Sequence, residues 1–74
     1  MTDTFSLLDV VTLTEDLPEH HLWRGQVGTI VEILADGDAF EVEFSGREGK
    51  VYASLGLRPE QLMRLHFEPA PMNN

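Results

Sequence analysis

Phe40-Glu41-Val42-Glu43-Phe44 alternates strictly between apolar and acidic residues. That two-residue period marks a half-buried β-strand with one apolar and one acidic face. Just upstream, residues 27–35 are β-branched and apolar and run into Asp36-Gly37, a pair that signals a two-residue hairpin turn. Downstream, Gly46-Arg47-Glu48-Gly49 reads as a second turn, and residues 50–55 as a fourth strand. Residues 7–14, rich in Leu, Val and Thr, predict the first strand. A loop over 15–25, punctuated by Pro18 and Gly25, separates it from the second. Near the end, Arg58-Pro59-Glu60-Gln61-Leu62 predicts a single helical turn with Pro59 at its first position, and residues 63–66 a closing strand.

Parity tests the register of both hairpins. With Asp36-Gly37 as the loop, Ile33 faces Phe40, Val31 faces Val42 and Thr29 faces Phe44. A one-residue slip would set Glu41 against Ile33 and Glu32 against Val42, driving acid into the core. With residues 46–49 as a four-residue loop, Phe44 faces Val51, Val42 faces Ala53 and Phe40 faces Leu55. Both hairpins then gather their apolar residues on one side, and the core expected from this agreement is Val31, Ile33, Phe40, Val42, Phe44, Val51, Ala53 and Leu55.

Five short strands, a long first loop and one helical turn before the last strand predict an all-β fold, a small five-stranded SH3-like barrel. Closure would remove the exposed edges that a small β protein must otherwise guard. The domain is expected over residues 5–66. Residues 67–74, with Pro69 and Pro71, are expected to form a flexible C-terminal tail.

At 74 residues the chain is one domain, burying only about 60% of its extended surface, so its margin of stability is small. The absence of cysteine removes disulfides, thiol catalysis and Cys-type zinc sites. No apolar run reaches the roughly 18 residues of a membrane helix, and no basic stretch precedes an apolar one at the N-terminus; no membrane partner and a cytoplasmic location are expected. Thirteen acids against five bases give a net charge of −8, which opposes binding to phosphate backbones.

The predicted register sends Glu32 opposite Glu41, and Glu43 opposite Tyr52, on the outward face, with Ile30, Leu34 and Ser54 beside them. Opposed carboxylates are mildly destabilising. Such a face is either a solvated surface screened by Arg47 and Lys50 or a docking surface for a basic partner, acids steering and apolar neighbours supplying contact. As a catalytic pair the acids lack the burial that would separate their pKa values. Trp23, with Leu17 and Leu22 in the same loop, either plugs one end of the barrel or forms an exposed anchor.

His20 and His21 are adjacent rather than spaced as ligands on one element, and no metal site or cofactor is expected. Gly25 and Gly28 lack the Gly-Lys-Ser/Thr ending of a phosphate loop and instead suggest a turn and a strand bend. No catalytic order of residues is visible, so the chain is not expected to be an enzyme.

Several ordered motifs carry a resemblance. Leu8-Asp9-Val10-Val11, Leu13-Thr14-Glu15-Asp16-Leu17-Pro18 and Arg24-Gly25-Gln26-Val27-Gly28-Thr29-Ile30-Val31-Glu32 are followed by Phe40 to Phe44 and by Leu57-Arg58-Pro59-Glu60-Gln61-Leu62. Together they resemble a family of short bacterial proteins, common in cyanobacteria, catalogued as a domain of unknown function. The resemblance covers roughly residues 7–65, implies an SH3-like fold, and carries no active site to transfer. Trp23 and His21 depart from its pattern, where a polar residue and a glycine are expected.

The resemblance implies an antitoxin or immunity role, and an acidic domain suits a basic protein partner. Residues expected at that interface are Glu32, Glu41, Glu43, Tyr52, Trp23, Leu17 and Leu22. Two alternatives stay open: an accessory subunit of a redox or photosynthetic assembly, and a nucleic-acid module entered through a KOW-like Gly-x-x-Gly-x-Val. The scattered bases Arg24, Arg47, Lys50, Arg58 and Arg64 argue against nucleic acid. A homodimer also stays open.

Overall fold

A computed structural model of the chain describes residues 5–66. Five strands, β1 (Val10–Leu13), β2 (Val27–Leu34), β3 (Ala39–Ser45), β4 (Val51–Leu57) and β5 (Leu62–Arg64), form one antiparallel sheet in the order β4-β3-β2-β1-β5. The expected all-β architecture is present, with single 3-10 turns at Pro18–His20, Ala35–Gly37 and Pro59–Gln61. The last is the helical turn read from Pro59, closed where the Gln61 side chain accepts from the Arg58 amide at 2.9 Å. β5 pairs with β1, which leaves β4 and β5 as the two edges, and the sheet is not closed into a barrel.

β1 begins later than expected. Ser6 and Asp9 close a turn through Ser6 N to Asp9 Oδ2 at 2.8 Å and Asp9 N to Ser6 O at 3.1 Å, with Leu8 at φ 70. β4 runs two residues past its expected end, and β5 starts one residue early. The expected tail over 67–74 lies outside the described residues.

In the β2–β3 hairpin, Asp36 and Gly37 hold the two central turn positions with φ of 55° and 95°, and Asp38 N donates to Ala35 O at 3.0 Å. Both-positive φ is what a two-residue hairpin turn with the sheet's own twist requires. Ile33↔Phe40 and Glu32↔Glu41 pair as expected. Then the register slips by one residue at Val31, so that Ile30 faces Val42, Thr29 faces Glu43 and Gly28 faces Phe44. This bulge corrects the expected core. Ile30 is fully buried in place of Val31, and Ile33, close to the turn, is 44% exposed. Gly28 is obligatory here: a Cβ would lie 2.6 Å from Val42 Cγ1 and 2.9 Å from the Glu43 carbonyl.

The β3–β4 hairpin slips twice. Gly49 takes φ 80 and donates to Gly46 O at 3.0 Å, while Gly46 N donates to Lys50 O at 2.9 Å. The loop is therefore three residues with a left-handed glycine bulge, not four. A second extra residue, Tyr52, lies between the pairs Ser45↔Val51 and Phe44↔Ala53. The expected pairs are displaced by two: Phe40 faces Leu57, Val42 faces Leu55, and Glu43 faces Ser54 instead of Tyr52. Parity survives, so Ala53 and Leu55 stay on the core side, while Val51 is half exposed.

The buried core is Val11, Leu13, Leu17, Leu22, Ile30, Phe40, Val42, Phe44, Leu57 and Leu62. Phe5 packs edge-on to Phe40, centroids 5.4 Å apart, and the Arg64 guanidinium stacks over it while holding Asp9 at 3.3 Å. Cation, ring and carboxylate thus cover the Phe40 end of the core together.

Candidate functional site

Alternation along β3 sends Glu41, Glu43 and Ser45 to the side of the sheet away from the core. The ladders set their neighbours: Glu41 lies between Glu32 and Gly56, and Glu43 between Thr29 and Ser54. Ser54 Oγ donates to Glu41 Oε2 at 2.7 Å, so a neutral donor, not a cation, serves one of the opposed acids. Among the described residues no ion pair joins Glu32, Glu41 or Glu43 to Arg47 or Lys50; the ion pairs formed are Arg58–Glu60 and Arg64–Asp9. The three predicted acids therefore do share one face, and their charges stand without a salt bridge on it. Ile30, expected beside them, lies in the core because of the Val31 bulge.

Further along the same face the character changes. Thr12 pairs with both Val27 and Met63, and Ser45 pairs with Val51. Val27, Val51 and Met63 are about half exposed, as are Tyr52 and Trp23. Gln26 joins the two aromatic residues: its Oε1 accepts from the Trp23 amide at 2.6 Å and its Nε2 donates to the Tyr52 hydroxyl at 2.8 Å. The acids thus grade into an apolar and aromatic corner where the first loop meets β4. Sequence reasoning missed Val27 and Met63, since both required the ladder to Thr12 to place them. It also missed Gln26, whose role depends on Tyr52 being pushed out of register.

Two expected interface residues move elsewhere. Leu17 and Leu22 bridge each other across the 3-10 turn, Leu17 N to Leu22 O at 2.8 Å, and both are buried. The long loop is a folded flap that contributes two leucines to the core, with His21 in the left-handed conformation that turns it back. Asp16 Oδ1 accepts from the Arg24 amide at 2.8 Å and staples the base of that flap. Trp23, at 51% exposure, does not plug the core; Phe5 covers one end instead. Among the described residues no group of three or more His, Asp or Glu side chains is placed to hold a metal ion, and no helix is long and apolar enough to cross a membrane.

What the face offers is therefore fixed negative charge beside exposed apolar area, the two ingredients of steered protein association. No curated protein and no solved structure is similar enough to this chain to match it. One family model does, and it spans residues 7–64, from the turn before β1 to the end of β5. The chain belongs to the family described as Domain of unknown function (DUF4926).

Proposed function

We propose that this protein is a non-catalytic interaction module of SH3-like architecture, an antitoxin or immunity-type domain that docks a basic protein partner in a bacterial cytoplasm. The observation that carries the reading is the outer sheet face, where among the described residues Glu32, Glu41 and Glu43 carry no ion pair and where β4, beyond Ser45, adds exposed Val51 and Tyr52. A carboxylate cluster left uncompensated on a sheet costs stability, and docking of a cationic surface recovers that cost as binding. Exposed aromatics beside the charge supply the desolvated contact area that sets residence time. The strand order, with a single turn before the last strand, supports the SH3-like comparison.

The test is capture from host lysate at low salt by the wild-type chain and by the triple variant Glu32→Gln, Glu41→Gln, Glu43→Gln. The reading expects a basic protein that the wild type retains, that salt elutes, and that the triple variant loses. If the captured set is neutral or acidic, or is the same for both chains, the reading fails.

A further inference from the structure

The two edges of the sheet are guarded very differently. β5 is three residues long and carries Arg64. β4 is seven residues long, Val-Tyr-Ala-Ser-Leu-Gly-Leu, with no charge and no proline, in a chain of which 24% is charged. Among the described residues its backbone pairs with β3 and with no other strand. Edges of this kind are ordinarily shielded by charge, proline or brevity, because their unpaired amides and carbonyls accept another strand. The bulge at Tyr52 protects only the first part of β4 and leaves residues 53–57 regular.

The side chains along that regular stretch point to what covers it. Ala53, Leu55 and Leu57 face Phe44, Val42 and Phe40, all of them buried, yet Ala53 and Leu55 are only partly buried themselves. They lie on the core face, and among the described residues no strand flanks them on the open side. The outward residues, Ser54 and Gly56, are small and neutral.

We propose that two copies of this chain associate through β4, residues 53–57 of each running antiparallel about a two-fold axis at Leu55, to form one continuous ten-stranded sheet. In that register Leu55 faces its own counterpart, Ala53 faces Leu57, and Ser54 faces Gly56, so core-facing residues meet core-facing residues. The contact is isologous and closes after two copies. Charge is the main objection for a chain of net −8. The acids of β3 would nevertheless stand three strand spacings from those of the other copy, about 14 Å. That exceeds the Debye length of about 8 Å at physiological salt. The edge itself carries no charge, and residues 53–57 match their own antiparallel copy face for face, which favours a second copy. Both outer faces remain open, so the inference stands independently of the docking role proposed for Glu32, Glu41 and Glu43.

Sedimentation across micromolar to millimolar protein tests it. The mass should rise from 8.3 kDa toward twice that value, and at lower concentration as salt is raised, because repulsion is the only long-range term opposing the contact. The double variant Ser54→Lys, Gly56→Lys sets lysines opposite each other across the join while making the net charge less negative. It should weaken association by about tenfold or more. Since that variant could fail to fold, a single Leu55→Cys in this cysteine-free chain gives a second reading. Under mild oxidation it should form a covalent dimer much faster than Ser45→Cys, an exposed control away from the join. A wild type that stays at 8.3 kDa at millimolar concentration overturns the proposal. So does a folded double-lysine variant that associates like the wild type, or equal cross-linking at positions 55 and 45.

Discussion

β3 is shared by two hairpins that depart from ideal pairing in different ways, and the difference governs which side chains enter the core. Against β2 the register slips once, at Val31. Against β4 it slips twice, at the glycine turn and at Tyr52. Because side chains alternate with a period of two, an odd number of slips exchanges faces while an even number changes only partners. So β2 delivers Ile30 to the core where unbroken alternation from the turn would deliver Val31. β4 keeps Ala53 and Leu55 on the expected side but meets β3 two residues further along.

The largest effect should come from truncating the residue that the odd slip carries into the core. Ile30 is fully buried opposite Val42, whereas Val31, at the bulge, is only partly buried. Ile30→Ala should cost about 2–5 kcal/mol. A domain of this size has a total stability near the low end of about 5–15 kcal/mol. The Ile30 variant is expected to lose much of its folded population by circular dichroism, while Val31→Ala should melt much closer to wild type. The opposite ranking would mean that unbroken alternation from the turn holds and that the bulge does not define the core.

The even slip is probed by a pair of truncations in β4. Leu57 is 3% exposed and faces Phe40, whereas Val51 is 50% exposed at the far end of the strand. Leu57→Ala should cost about 2–5 kcal/mol. Val51→Ala should stay within about 0.5 kcal/mol, as expected for a surface change. Denaturant midpoints compare the two directly. The opposite ranking would restore the four-residue loop and the pairing of Val51 with Phe44.

Gly28 offers a smaller and more local test of the β2 slip. Its hydrogen occupies the space that a Cβ would need beside Val42, the Glu43 carbonyl and Phe44. Gly28→Ala should destabilise by about 1–3 kcal/mol through overpacking. The cost should fall in the Phe44→Leu background, where the ring is gone, although the carbonyl remains. If Gly28→Ala is neutral, the approach of β2 to β3 is looser than the paired register requires.

These tests bear on features that the sequence carried with unequal clarity. Strand existence was legible wherever a two-residue period or β-branched run met a turn signal, as at Phe40-Glu41-Val42-Glu43-Phe44 and Asp36-Gly37. The acids of the outer face were legible for the same reason, since Glu32 and Glu41 lie close to that turn, before the slip. Bulges were not: Val31 and Tyr52 look like ordinary strand residues, and parity arguments assume that none is inserted. Leu17 and Leu22 were misplaced because a segment with Pro18 and two histidines reads as polar loop. Only the backbone bridge between the two leucines shows that the loop folds inward.

The smallest effect concerns the one pair on which both sequence and ladder agree. Glu32 and Glu41 face each other directly, and Glu41 keeps a hydroxyl donor from Ser54 at 2.7 Å. Glu41→Gln leaves a carbonyl that can still accept that hydrogen bond, while the like-charge opposition disappears. Stability should rise by a few tenths of a kcal/mol to about 1 kcal/mol. The gain should shrink as salt is raised, since screening already weakens the repulsion in the wild type. Ser54→Ala separates the two contributions, removing the donor and keeping both charges, and should lower stability slightly at every salt concentration. If Glu41→Gln is destabilising and its effect does not depend on salt, the hydrogen bond to Ser54 outweighs the repulsion. The acidic face would then be held together locally rather than waiting for a cation.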